Sequence, residues 1–311
     1  MLSMTRLLIL ALFFSSGLFA DNKKFSKAEL KLPGKKGVCF TLRTSGKQGL
    51  IKENLPKIKA LNAYWNYSWH FHLINDQPKN MEFLPMSWGA WGHEKFKQDL
   101  QKYVVPKIKS GQVKRFLAFN EPDKKNQANM PYKKALSYWP LLEKLGVPLA
   151  SPGCANPESI ADGSAQGVRG TWMNDFMKEA DSRGYRIDYI ATHWYGGCDV
   201  KKFKEKMRRI YEKYGRRPLL ITEFAVADWR AKNVTKNRHP KAKVLEFMKE
   251  VLPWLEEQDW IAGYSWFSFR RNEPPGTCSA LFDMKGNMTA LGRYYKSVTT
   301  ENPKGDQSIS Y

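Results

Sequence analysis

Eight short apolar runs, each rich in β-branched or aromatic residues, recur along the chain with helical segments between most of them. They cover residues 37–41, 61–67, 81–85, 115–119, 148–151, 187–192, 218–222 and 261–267. Strands that alternate with helices form parallel βαβ units, because parallel neighbours need a long crossover connection. Eight such units in a chain of 311 residues predict a single-domain α/β fold, a closed (β/α)8 or TIM barrel.

The segments between the runs have the apolar spacing of helices. Residues 93–110, 130–146, 171–184, 199–215 and 240–258 carry apolar side chains at intervals of three and four. Four of these segments end at a glycine, as helix C-termini commonly do. The stretch after the second run is aromatic without this spacing, so a short or absent second helix is expected. An open, doubly wound sheet is the alternative, but its glycine-rich phosphate turn is missing.

The first 20 residues have the pattern of a secretory signal peptide. One cation, Arg6, precedes an apolar run at 7–14, and small or turn-prone residues lead to Ala20. We expect cleavage after Ala20 and a secreted protein, extracellular or periplasmic. An uncleaved anchor is the alternative, although the run is short for a bilayer, and no later segment is expected to span a membrane.

The rest of the chain lacks a linker or a low-complexity segment. We divide it into an N-terminal extension at 21–35, one domain at 36–299 and a C-terminal tail at 300–311. Four cysteines remain after cleavage, and an exported chain could pair them. Cys198 and Cys278 lie in predicted loops and are the candidate disulfide, whereas Cys39 is expected to be a buried thiol.

The chain is strongly basic, with a formal net charge of +21. An acidic partner, such as nucleic acid or an anionic wall polymer, is one interpretation, and a solvated lysine-rich surface is the other. The sequence carries no nucleic-acid-binding motif, so specific nucleic-acid binding is not expected. Electrostatic association with acidic cell-wall polymers stays open, and a monomer is expected.

Polar and aromatic residues stand at the C-terminal ends of the predicted strands, where barrels of this kind place their functional groups. Hydrolysis of a glycosidic bond needs one carboxyl group to protonate the leaving oxygen and one carboxylate to act at the anomeric carbon. Glu121 and Glu223 end strands four and seven, on opposite sides of the barrel mouth. Either glutamate alone could be a loop residue in an ion pair, but their joint placement predicts a carbohydrate site. The neighbouring candidates for substrate binding are Trp65, Asn66, Trp88, Asn120, His193, Trp194, Tyr195 and Trp266.

Other acids and histidines give weaker candidates. Asp123, Asp199 and Asp228 fall beyond strand ends and are typical of loop or capping residues. His70, His72 and His193 with Cys198 and Asp199 suggest a metal site, but no HExxH or CxxC spacing supports one. No metal and no other cofactor is expected.

Three motifs make the chain similar to glycoside hydrolase family 128, the endo-β-1,3-glucanases of a retaining barrel clan. They lie at 116–130 with Trp139 and Pro140, at 188–195, and at 221–224 with Trp229. The resemblance runs from about residue 36 to residue 297. One departure is the sequence of residues 65–69, Trp-Asn-Tyr-Ser-Trp, where family members often have Trp-x-Tyr-Asn-Trp.

The resemblance implies a β-1,3-glucan substrate, Glu121 as acid/base and Glu223 as nucleophile in a double displacement. It adds Trp229 to the binding residues and places Trp266 beneath the sugar at the point of cleavage, before a non-proline cis peptide. Among the aromatic residues, Trp65, Trp194 and Trp266 are the expected sugar contacts. Two alternatives remain open: a non-catalytic β-glucan-binding protein on the same barrel, and a retaining glycosidase for another β-linked polysaccharide.

Overall fold

The computed structural model describes residues 24–42, 49–159 and 171–311. The predicted signal peptide, residues 1–20, lies outside the described residues. Within those described ranges, no helix has the length and apolar character needed to cross a membrane.

Eight parallel strands follow one another around a barrel, as the sequence predicts. Six of them are hydrogen-bonded neighbours in the order β3-β2-β1-β8-β7-β6, and β4 pairs with β5. Parallel bridges between Met86 and Leu117 and between Ala150 and Tyr189 link these two groups on both sides. The strands are β1 Lys36–Cys39, β2 Trp65–Tyr67, β3 Glu82–Phe83, β4 Phe116–Leu117, β5 Leu149–Ala150, β6 Ile190–Gly196, β7 Leu219–Val226 and β8 Ile261–Phe267.

Helices pack around the strands, and all five predicted helical segments are confirmed. A π-helical turn, Leu100–Val104, joins α3 to α4, so that these two helices fill the segment predicted at 93–110. No helix lies between β2 and β3, where residues 68–81 are all described. The helices are α1 Lys27–Leu30, α2 Gly49–Ala60, α3 His93–Asp99, α4 Val105–Lys109, α5 Tyr132–Glu143, α6 Trp172–Ser182, α7 Val200–Lys213, α8 Lys241–Glu257 and α9 Ala290–Ser297.

Large aromatic side chains fill the interior of the barrel. Trp65 and Tyr67 alternate with Asn66 along β2, and both rings are fully buried with centroids 6.4 Å apart. A Cβ on Gly37 would lie 2.1 Å from the indole of Trp65, so only glycine leaves room for that ring in β1. The interior at these positions is therefore a packed core, as in other barrels of this kind.

The N-terminal extension closes the opposite end of the barrel. The buried guanidinium of Arg115 donates to Leu30 O at 3.1 Å and Lys31 O at 3.3 Å. The same group pairs with Glu82 at 2.6 Å and donates to Tyr189 Oη at 2.7 Å. These contacts compensate the burial of the charge and fix the extension beneath the strands.

All four cysteines are free thiols in the structure. The candidate disulfide between Cys198 and Cys278 is therefore not formed. Cys278 is buried, and its Sγ lies 3.7 Å from the carbonyl oxygen of Val226. Cys39 is buried in β1, as the sequence indicates.

Candidate active site

A cavity of about 660 Å³ opens at the C-terminal ends of the strands. This is the end at which the sequence places the functional residues. Seven of the predicted site residues line the cavity: Trp88, Asn120, Glu121, Trp194, Tyr195, Glu223 and Trp229.

Glu121 stands just beyond β4 in a strained backbone conformation. Its φ of 40° is in the left-handed region, which a side chain with a Cβ rarely adopts. The conformation is held by two hydrogen bonds, from Glu121 N to Gly153 O at 2.8 Å and from Lys124 N to Glu121 O at 3.0 Å. Strain of this kind persists where the surroundings over-determine it, which is common at active sites.

Glu223 lies inside β7 and accepts three hydrogen bonds from aromatic side chains. Tyr67 Oη and Trp69 Nε1 donate to Oε1 at 3.1 and 2.8 Å, and Tyr195 Oη donates to Oε2 at 2.5 Å. Burial, together with the charge of Glu223, raises the pKa of Tyr67 and of Tyr195 well above the usual value. Both phenols therefore stay protonated and keep donating to the carboxylate.

His193 connects the two glutamates. Its Nδ1 lies 2.9 Å from Glu121 Oε1 and 3.5 Å from Glu223 Oε2, and the ring is fully buried. Burial opposes the charge on the imidazole, but the carboxylates of Glu223 and Glu121 hold the pKa of His193 above its ordinary value. One oxygen of each glutamate lies within 4.8 Å of the other and of the imidazole.

Across the described ranges, the group of side chains close enough to hold a metal ion is this same trio. The other metal candidates do not join it. Asp199 accepts from Lys202 N at 3.0 Å and caps α7, which is the capping role considered for it. Asp123 likewise binds loop backbone, accepting from Ala155 N and Asn156 N at 3.0 and 2.9 Å.

The prediction that Trp65 and Asn66 contact sugar is wrong. Both are fully buried, and neither lines the cavity. Trp65 Nε1 donates to Lys35 O at 2.9 Å, deep in the barrel, and Asn66 Oδ1 accepts from Gln77 Nε2 at 2.7 Å. Side chains alternate along a strand, so the next inward positions after Trp65 are Tyr67 and then Trp69. The indole that reaches the site is that of Trp69.

The prediction for Trp266 is wrong for a related reason. Its side chain is fully buried on the outer face of β8, where Nε1 donates to Ser279 O at 2.9 Å. The ring packs edge-on against Phe224 with centroids 5.1 Å apart. The next residue, Phe267, points inward and lines the cavity. No cis peptide bond occurs in the described part of the chain, so the expected cis bond is absent there as well.

Asn120 and Trp194 occupy contrasting positions. Asn120 Nδ2 donates to Gln127 Oε1 at 3.2 Å, while its Oδ1 is buried without a partner and is available to a ligand. Trp194 borders the cavity but is 7% exposed, with its ring stacked on Phe247 at 5.4 Å. Its role is mainly to pack β6 against α8.

The sequence predictions omitted several residues of the site and of its cavity. Tyr67 and Trp69 bind Glu223 directly, and strict alternation counted from Trp65 would have found both. Phe267 follows from the same rule applied to β8. The remaining residues come mostly from loops, where no periodicity marks them: Thr41, Lys124, Asn126, Gln127, Ala155, Asn156 and Phe269. Lys206 reaches the cavity from α7.

Two buried glutamates that face each other at the mouth of a (β/α)8 barrel, among aromatic rings, define a glycoside hydrolase. The chain belongs to the glycosyl hydrolase catalytic core family, whose profile matches residues 37–295. No curated protein matches the chain.

Solved structures of glycoside hydrolase family 128 are similar to the chain, so the resemblance stated above is confirmed. A subgroup I endo-β-1,3-glucanase from Amycolatopsis mediterranei, in complex with laminarihexaose, is 27% identical, with a TM-score of 0.66 over 85% of this chain and 99% of that one. A subgroup II endo-β-1,3-glucanase from Sorangium cellulosum is 24% identical, with a TM-score of 0.62 over 85% and 98%. A curdlan-specific exo-β-1,3-glucanase from Blastomyces gilchristii, of subgroup III, is 24% identical, with a TM-score of 0.61 over 85% and 98%. The Sorangium and Blastomyces enzymes, each 24% identical to the chain, support the fold alone.

Proposed function

We propose that the protein is a secreted endo-β-1,3-glucanase that cleaves its substrate with retention of configuration. The observation that carries this proposal is the pair of buried glutamates, Glu121 and Glu223, with oxygens within 4.8 Å of one another. Retaining enzymes hold their two carboxyl groups about 5–5.5 Å apart, whereas inverting enzymes need about 6.5–9.5 Å to admit a water molecule. The short separation favours retention.

The surroundings of the two glutamates support different roles. Three donors orient Glu223 and stabilise its negative charge, which suits a nucleophile that must stay ionised. Glu121 has the imidazole of His193 as a neighbour and faces the cavity, which suits a group that gives and takes a proton.

The reaction then proceeds in two displacements. Glu223 attacks the anomeric carbon while the carboxyl proton of Glu121 passes to the departing glycosidic oxygen. The bond to the leaving sugar breaks, and a covalent glycosyl–Glu223 ester forms. Glu121, now ionised, takes a proton from water, whose oxygen displaces Glu223 from the same carbon. The buried Oδ1 of Asn120 is placed to accept a hydrogen bond from a sugar hydroxyl during both steps.

The choice of β-1,3-glucan is supported by the Amycolatopsis enzyme, which binds laminarihexaose and shares 27% of its sequence with this chain. Endo action is supported by the shape of the site. A second cavity of about 700 Å³ shares Thr41, Trp69, Phe267 and Phe269 with the catalytic cavity, so the groove continues past the glutamates. Secretion rests on the pattern of residues 1–20.

Digestion of laminarin tests the proposal. The wild-type protein should release reducing ends from chain interiors, so oligosaccharides of several lengths appear early. Glu223→Gln should reduce kcat by about 10⁴-fold or more, because the nucleophile is lost. Glu121→Gln should lose less, and azide should restore part of its activity by replacing the water that Glu121 activates. Unchanged turnover in Glu223→Gln, or a wild-type protein that binds laminarin without cutting it, would contradict the proposal.

A further inference from the structure

An exposed tryptophan stands beside the catalytic cavity without lining it. Trp91 is 61% exposed, although tryptophan is on average a highly buried residue. Its indole lies close to that of Trp88, with ring centroids 5.8 Å apart and an interplanar angle of 28°. Trp88 does line the cavity. The two rings therefore extend an aromatic surface from the wall of the cleft out to solvent.

The turn that carries Trp91 is held in place on both sides. Ser87 Oγ donates to Gly89 O at 2.8 Å, and Gly92 N donates to Tyr138 Oη at 2.9 Å. Ala90, between them, is 1% exposed. A turn held before a ligand arrives loses little conformational freedom when the ligand binds, and this favours affinity.

Gly89 shows how closely the ring rests on its own turn. A Cβ at this position would lie 2.6 Å from the outer edge of the Trp91 indole. The absence of a side chain thus lets the indole lie against the backbone beside Trp88. An alanine here would displace the ring rather than the backbone, because the clash involves the far end of one side chain.

We propose that Trp88 and Trp91 form an aromatic platform that binds glucose units of a β-glucan chain where it leaves the catalytic cavity. This inference rests on the proposed function. One face of a pyranose ring presents C–H groups, and these pack on the apolar face of an indole. The platform continues the wall of the cleft, so the sugars of a bound chain that leave the cavity pass over the two indoles. This continuity favours a β-glucan chain as the ligand.

A protein partner fits the platform less well. A specific protein–protein interface usually buries about 1,000 Å² or more. The other large hydrophobic side chains described as exposed are Trp229, Val234, Met284 and Tyr311, and none belongs to this turn. One exposed indole next to a half-buried one matches a sugar ring better than a protein surface.

The platform predicts a dependence on substrate length. Short β-1,3-linked oligosaccharides fill the catalytic cavity without reaching Trp91, and longer chains touch both. For the wild-type protein kcat/KM should keep rising with chain length, whereas for Trp91→Ala it should level off earlier. On the longest chains the variant should be lower by about tenfold. Gly89→Ala should show the same change although it keeps the indole, and Tyr311→Ala is the control for loss of an exposed aromatic residue elsewhere.

Steady-state kinetics on oligosaccharides of increasing length, with retention on insoluble curdlan measured in parallel, test the inference. Equal losses of Trp91→Ala at every length would indicate a structural role and overturn the platform, and so would no loss at any length. Curdlan retention needs no turnover. A wild-type protein that cleaves no β-1,3-glucan would refute the proposed function, and equal curdlan retention by the wild-type and Trp91→Ala proteins would still refute the platform separately.

Discussion

At the scale of single residues, the site depends on which side chains point inward at the strand ends. The glutamates could be predicted because an acid after an apolar run at a strand end is conspicuous. The aromatic residues were harder to assign, because Trp65, Trp69, Trp266 and Phe267 differ only in their place in the alternation. A strand boundary shifted by one residue exchanges the inner and outer faces, and the sequence does not define boundaries that closely.

Tyr195 gives a prediction at this scale. Its hydroxyl is 2.5 Å from Glu223 Oε2, and burial with the nearby carboxylate keeps it protonated. Tyr195→Phe removes this donor without removing the ring, so kcat on laminarin should fall by about 10- to 100-fold, with a smaller change in KM. Tyr211→Phe, whose ring stacks on Trp260 away from the cavity, is the matched control. An effect on KM alone would indicate that Tyr195 binds substrate and does not act on the nucleophile.

At the scale of elements, strands and helices with strong patterns were predicted well. The missed helices were α1, α2 and α9. Helices α1 and α9 have only four and eight residues, and Pro56 interrupts the pattern of α2. The contacts that hold α9 to the barrel could not be predicted, because they join β1 to residues about 260 positions later.

Lys36 at the start of β1 is central to those contacts. Its buried Nζ donates to Tyr295 O at 2.9 Å, to Lys296 O at 3.2 Å and to Val298 O. These carbonyls end α9 and have no partners within the helix. Lys36→Met keeps the length of the side chain but leaves them without a donor, so the free energy of unfolding should fall by about 1–3 kcal/mol. Lys296→Met, on the exposed side of the same helix, is the control.

The same lysine predicts a pH dependence. Burial lowers the pKa of Lys36 to about 7 from the ordinary value of 10.5. Between pH 7 and pH 10.5 the unfolded chain binds a proton at Lys36 that the folded chain lacks. The contribution of Lys36 to the free energy of unfolding therefore rises with pH over this range. The deficit of Lys36→Met in urea unfolding should therefore grow from pH 7 towards pH 10. A deficit that is constant over this range would show that the amine stays charged when folded.

At the scale of the whole molecule, the eight-strand count predicted the barrel, and the barrel placed Glu121 and Glu223 together. Of the residues behind the net charge of +21, Lys124 and Lys206 line the catalytic cavity. Association of the protein with acidic wall polymers remains a prediction, as do its monomeric state and its signal peptide. Loops brought Lys124 and Phe269 to the cavity, and loop positions follow from tertiary packing that no local pattern encodes.

We propose that Glu121 and Glu223 together cleave a β-1,3-glucan by double displacement. Proton NMR of the first products released from a β-1,3-linked glucose oligosaccharide tests it most directly, because it reports the configuration of the new anomeric centre before mutarotation. With retention, the β-anomer should appear first, and the α-anomer should follow only as the sugars equilibrate. Initial release of the α-anomer would show inversion and contradict the assignment of Glu223 as nucleophile.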